Sequence, residues 1–131
     1  MTQEDKELLL KDLCARLTYG VQVCYKIHLE DEPIDVTLSG LLLDYFKNKT
    51  IVEIKSYLRP MSSMTEEEIK EAENISRLKY IDGTFAELKQ FTLINDNFVD
   101  WLNAHHFDYR GLIEKGLVLE APENMYLHLG K

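Results

Sequence analysis

Trp101-Leu102-Asn103-Ala104-His105-His106-Phe107-Asp108-Tyr109-Arg110-Gly111 gathers a tryptophan, two adjacent histidines, a carboxylate, a phenol and a guanidinium into eleven residues. No other window of the chain holds as many groups that bind or titrate near neutral pH. Two chemistries suit these types. His105 and His106 with Asp108 would be metal ligands if they converged. Paired metal-binding histidines on a helix usually stand at i and i+4, whereas adjacent ones diverge by about 100°. A fourth ligand is not evident, so no metal site is assigned. Arg110 carries a planar fork suited to a phosphate or carboxylate, and Tyr109 and Trp101 would line such a pocket. The structural alternative reads the same residues as a helix ending. His105 then packs on the apolar face, His106 caps the C-terminus as an imidazolium, Trp101 is core, and Arg110 pairs with a carboxylate. The candidate ligand-binding residues are therefore Trp101, His105, His106, Asp108, Tyr109 and Arg110, with the structural role ranked first.

Outside this window the chain offers little reactive chemistry. Cys24 and His28 share a strand face by parity, but four residues of extended chain span some 13 Å, too far for a nucleophile and its base. Ser62 and Ser63 stand in no G-x-S-x-G frame. Neither a phosphate-binding G-x-x-x-x-G-K nor a dinucleotide-binding G-x-G-x-x-G occurs. Glu66, Glu67 and Glu68 match the dipole of a helix start. No catalytic residue and no cofactor is assigned.

Those residues must be carried by one domain, because the chain has 131 residues. An apolar fraction of 45% and a charged fraction of 29% describe a globular protein with a real core. The net charge of -8 argues against nucleic-acid binding, which is dominated by phosphate contacts. The best basic patch, Lys47, Lys49, Lys55 and Arg59, is diluted by Asp44 and Glu53. Cys14 and Cys24 lack metal-ligand spacing, and Cys14 reads as a small buried residue among leucines. No signal core and no membrane-length apolar run occurs, so a cytoplasmic protein without membrane contact is expected.

Periodicity supplies the elements. Thr2 and Asp5 form a short-armed capping box for a helix over 3–17, with Leu9, Leu13 and Leu17 inward and Lys6, Asp12 and Arg16 on other faces. Residues 21–29 and 34–43 alternate as an antiparallel hairpin, with a bulge at Gly40 and a strand running on toward Tyr45 or Phe46. The core is expected to include Leu9, Leu13, Leu17, Val23, Tyr25, Ile27, Val36 and Leu38. Residues 50–58 fit a short helix and a strand equally, and Pro60 ends either. Thr65 with Glu68 starts a helix to about Ile75. Arg77–Asp82 suggests a short strand with Leu78 and Tyr80 inward. Thr84 with Glu87 suggests another helix start, while Thr92-Leu93-Ile94 is ambiguous. Asn95 or Asp96 caps a helix to about His106. Leu117-Val118-Leu119 reads as a final strand, and residues 121–131 as a loosely attached tail. The fold class is α+β: one domain over residues 1–131, an N-terminal helix packed on a small, mostly antiparallel sheet with further helices.

Three blocks carry a resemblance: Leu8-Leu9-Leu10-Lys11-Asp12-Leu13-Cys14-Ala15-Arg16-Leu17, Tyr57-Leu58-Arg59-Pro60-Met61-Ser62-Ser63-Met64-Thr65-Glu66-Glu67, and Trp101 through Tyr126. In this order they resemble a family of small uncharacterised proteins common in gut Bacteroidales genomes, their phages and mobile elements. The resemblance covers under half the chain, and residues 69–99 fall outside it. The family pattern often has proline after the Arg-Leu of the first block, where this chain has Thr18. The resemblance implies a phage- or mobile-element-borne accessory protein and no particular reaction. The expectation is a non-enzymatic protein with a protein partner. A small-ligand-binding module using Trp101–Arg110 is the alternative, and an enzyme comes third.

Overall fold

The computed structural model describes residues 1–85 and 96–126. Helix α1 (Gln3–Arg16) starts where the sequence says it should. The Asp5 N–H donates to Thr2 Oγ1 and the Thr2 N–H to the Asp5 carboxylate, closing the capping box. Leu9 and Leu13 are fully buried, while Leu17 lies in a 3-10 turn and is only partly covered. Gly20, at φ 72°, turns the chain into the sheet. Two expectations for this helix are corrected. Cys14 is exposed, and Asp12 and Arg16, placed by the periodicity on faces other than the leucine face, are fully buried.

The hairpin forms from β1 (Gln22–Lys26) and β2 (Ile34–Thr37), antiparallel, with Val23 opposite Val36. It is shorter than the alternation predicts. Ile27 is exposed, Tyr25 and Val36 are partly buried, and Leu38 is buried just beyond the strand. The expected continuation through residues 40–43 toward Phe46 is wrong, because Gly40–Lys47 is helix α2. The Ser39 hydroxyl accepts from the Leu42 N–H and caps it. Leu42, Leu43 and Phe46 then bury one helical face. The break in alternation at Gly40 marks a change of period from two to 3.6, not a bulge.

Strand β3 (Glu53–Pro60) settles the ambiguity over residues 50–58. β-Branched residues leave local preference undecided, and partners decide it. β1 pairs antiparallel along residues 53–56, and the returning chain adds β6 (Phe107–Asp108) and β7 (Leu119–Glu120) in parallel. Ile54, Ser56 and Leu58 face inward. The sheet order is β2-β1-β3-β6, with β7 also on β3, so β2 is an edge among the described strands.

Thr65 and Glu68 close the capping box of α3 (Glu66–Ser76). A small hairpin follows, β4 (Tyr80–Ile81) against β5 (Thr84–Phe85). Asp82 and Gly83 turn it with φ of 54° and 84°, the two positive values an Asp-Gly turn accommodates. Thr84–Phe85 is therefore strand, where the sequence suggests a helix start. Glu87, the helix expected from it and Thr92-Leu93-Ile94 lie outside the described residues. Helix α4 (Asp96–Ala104) ends two residues before His106.

Two cores result. One joins α1, α2 and the sheet through Leu9, Leu13, Val23, Leu43, Phe46, Ile54 and Leu58. The other joins α3, α4 and the β4–β5 hairpin through Met64, Ala72, Phe85, Phe98 and Leu102. The α+β class holds for this small single domain. The strand expected over Leu117-Val118-Leu119 is confined to Leu119–Glu120, and Leu117 and Val118 before it are buried in the first core. Within the segment read as a tail, the Ala121 N–H donates to the Leu58 carbonyl and Pro122, Glu123 and Asn124 are exposed. Tyr126 is buried; its hydroxyl accepts from the Gln22 N–H at 2.9 Å and donates to the Tyr57 carbonyl at 2.7 Å. Among the described residues no helix is long and apolar enough to cross a membrane.

Candidate functional site

The Trp101–Gly111 window is built around the end of α4. The chain leaves the helix at His106, whose φ of 64° is left-handed, and the His106 N–H donates to the Asn103 carbonyl. This turn delivers Phe107 and Asp108 to the edge of β3, where the Arg59 N–H donates to the His106 carbonyl at 2.7 Å. His106 is thus buried at the helix end, but not as an imidazolium. Burial, then the Arg16 charge, pushes its pKa down to about 4. Its ring lies on Tyr126 with centroids 3.9 Å apart, and neither nitrogen has a hydrogen-bond partner among the described residues.

The other window residues part company. Trp101 stacks with His105 at 4.2 Å and with Phe107 at 5.8 Å, and His105 Nδ1 donates to the Trp101 carbonyl. Asp108 accepts the N–H groups of Leu112 and Ile113, both at 2.9 Å, and so ties down the turn that follows. The Tyr109 hydroxyl donates to Asn103 Oδ1 and accepts from Arg110 Nη2. Arg110 Nε reaches back to Asp12 Oδ1 at 3.0 Å. The distant acid that the structural reading requires for Arg110 is therefore Asp12 on α1.

Asp12 is shared. Its second oxygen accepts from Arg16 Nε at 2.9 Å, and Arg16 Nη2 donates to the Phe107 carbonyl. Both side chains have no exposure, so this is a charge network inside the protein. One carboxylate between two guanidiniums, with the Tyr109 ring against both, locks α1 to the segment after α4. Sequence reasoning passed over Asp12 and Arg16. The available signal was their i, i+4 spacing, the usual mark of a helical ion pair.

The window does not form one pocket. Asp108, Tyr109 and Arg110 line an open groove of about 870 Å³ with Ser62, Thr84 and Lys115, and no histidine is among its lining residues. Trp101 lines another groove, with Tyr19 and Ile75. Among the described residues no cluster of three His, Cys, Asp or Glu side chains is placed to hold a metal ion. Burial pushes the Cys24 thiol up, which disfavours the nucleophilic thiolate. Arg59 is already engaged by Glu68, through two contacts of 2.8 and 2.7 Å, and lies over the Phe107 ring. Burial alone would raise the Glu68 pKa, but these hydrogen bonds and the Arg59 charge hold it below the ordinary carboxylate value.

An apolar surface groove is the feature that composition could not reveal. It lies between the hairpin and α2, encloses about 430 Å³, and is lined by Tyr25, Ile27, Val36, Leu41, Leu42 and Tyr45, among others. Of its lining residues, Ile27, Leu41 and Tyr45 are 44%, 61% and 42% exposed. Three large exposed apolar side chains lining one groove make an apolar surface, which costs solubility unless something covers it. No protein-family model, no curated protein and no solved structure matches this chain. The geometry defines a small α+β domain with a charge-locked interior and an apolar surface groove between its hairpin and α2.

Proposed function

We propose that this protein is a non-enzymatic interaction module, and that the groove between its β1–β2 hairpin and α2 receives a protein partner. The observation that carries this reading is the exposure of Ile27, Leu41 and Tyr45 together in the lining of one groove between the hairpin and α2. The reactive side chains support it from the other direction. Arg16 and Arg110 are paired with Asp12, Arg59 with Glu68, and Asp108 accepts backbone N–H groups. The resemblance to Bacteroidales phage and mobile-element proteins supports an accessory role on such an element.

Photo-crosslinking from position 41 in the cells that make the protein tests the reading. A discrete protein adduct should form from Leu41 and not from Glu71, which is exposed on α3 away from the groove. Identical adduct patterns from the two positions would defeat the proposal.

A further inference from the structure

We infer that the segment received is extended and basic, and that it adds as a strand to the free edge of β2; this rests on the docking reading above. Three observations converge. The first is the edge itself. β2 pairs with β1 alone among the described strands, and the Leu38 N–H donates to the Val21 carbonyl at one end of the register. In an antiparallel ladder every second residue bonds the same neighbour. Val36 and Ile34 therefore bond β1, and the backbone groups of Asp35 and Thr37 point outward.

The second observation is where the groove lies. Val36 lines it, with Leu41 and Tyr45 of α2. A strand laid against β2 would send alternate side chains to that same face, so its backbone and its apolar side chains would be satisfied together.

The third is charge. Residues 27–50 hold five acids, Glu30, Asp31, Glu32, Asp35 and Asp44, against two lysines, Lys47 and Lys49. All seven are exposed. Lys26, just before them, points to Glu53 at 3.9 Å. Acids beside an edge strand discourage self-pairing. A second copy would bring the same excess and a net charge of -8. Lysine or arginine side chains on an incoming strand would meet this field favourably.

The experiment uses the full chain and a short fluorescent peptide of alternating valine and lysine, with serine and glutamate replacing lysine in two further peptides. Anisotropy should show binding of the lysine peptide, weakened by salt, and at least about tenfold weaker binding of the glutamate peptide. The amides of Asp35 and Thr37 should become protected from hydrogen exchange. Leu41→Asp, at an exposed position, should keep the melting temperature and lose binding. Because it adds negative charge, stronger binding by this variant would reveal mere ionic attraction and overturn the inference. Equal binding of all three peptides, or concentration-dependent dimers that Leu41→Asp abolishes, would overturn the basic-strand inference and leave the docking reading standing. No binding by any peptide, with no adduct from position 41, would overturn both.

Discussion

Arg110 Nε donates to Asp12 Oδ1 at 3.0 Å, joining residues 98 apart in the chain. Arg16 holds the other oxygen of the same carboxylate. Removing Asp12 would leave the fully buried Arg16 without its counter-charge. Asp12→Ala should cost about 3–5 kcal/mol, the range for breaking a buried pair. Arg110→Ala should cost less, about 1–3 kcal/mol, because Asp12 keeps Arg16 and Arg110 is partly wet. Urea unfolding of the two variants checks the order, and a larger loss for Arg110→Ala would show that Arg16 does not depend on Asp12. Peptide binding at the groove should be unchanged in Arg110→Ala.

His106 titrates near pH 4 in the folded protein and has an ordinary value of 6.5. The unfolded chain therefore binds the proton first as pH falls. Stability contributed by keeping this imidazole neutral is complete above pH 6.5 and is lost between there and about pH 4. The loss should be about 3 kcal/mol, since a tenfold change in proton affinity is worth about 1.4 kcal/mol. His106→Phe keeps a ring against Tyr126 and sacrifices no side-chain hydrogen bond among the described residues. Its stability, followed by denaturant melts across this range, should fall less steeply than that of the wild type.

Tyr126 bridges two strands with one hydroxyl, taking the Gln22 N–H and giving to the Tyr57 carbonyl. Burial raises its pKa to about 12, so it remains a donor at any physiological pH. Tyr126→Phe leaves both backbone groups unpaired and should cost about 1–3 kcal/mol. A companion test is hydrogen exchange, in which the Gln22 amide should lose protection before the rest of β1.

Leu13 sits at zero exposure between α1 and the sheet. Leu13→Ala should cost about 2–5 kcal/mol through lost transfer energy and the cavity left behind. A loss under about 1 kcal/mol, measured by the same melts, would mean that α1 is peripheral to the fold.

Much of the local structure was legible in the chain itself. Thr2 and Thr65 each announce a helix by a side chain that caps it, and the hairpin shows in the alternation around Val23 and Val36, because these signals act between near neighbours. The tendency of Arg110 to seek a carboxylate was legible too, since an isolated buried charge is costly whatever the fold. Tertiary structure decided which acid it found. Asp12 looks like one more solvated helix residue until the segment after α4 is laid across α1. β3 is a strand because β1, β6 and β7 arrive to pair with it, and its own residues suit a helix equally. The groove beside β2 belongs to the same class. Its apolar residues look like core in the sequence, and only the short reach of the hairpin, with α2 folding back at Ser39, leaves Ile27, Leu41 and Tyr45 facing water. Local signals choose the elements; contacts between residues far apart in the chain choose which faces are covered, and that choice determines where another molecule can bind.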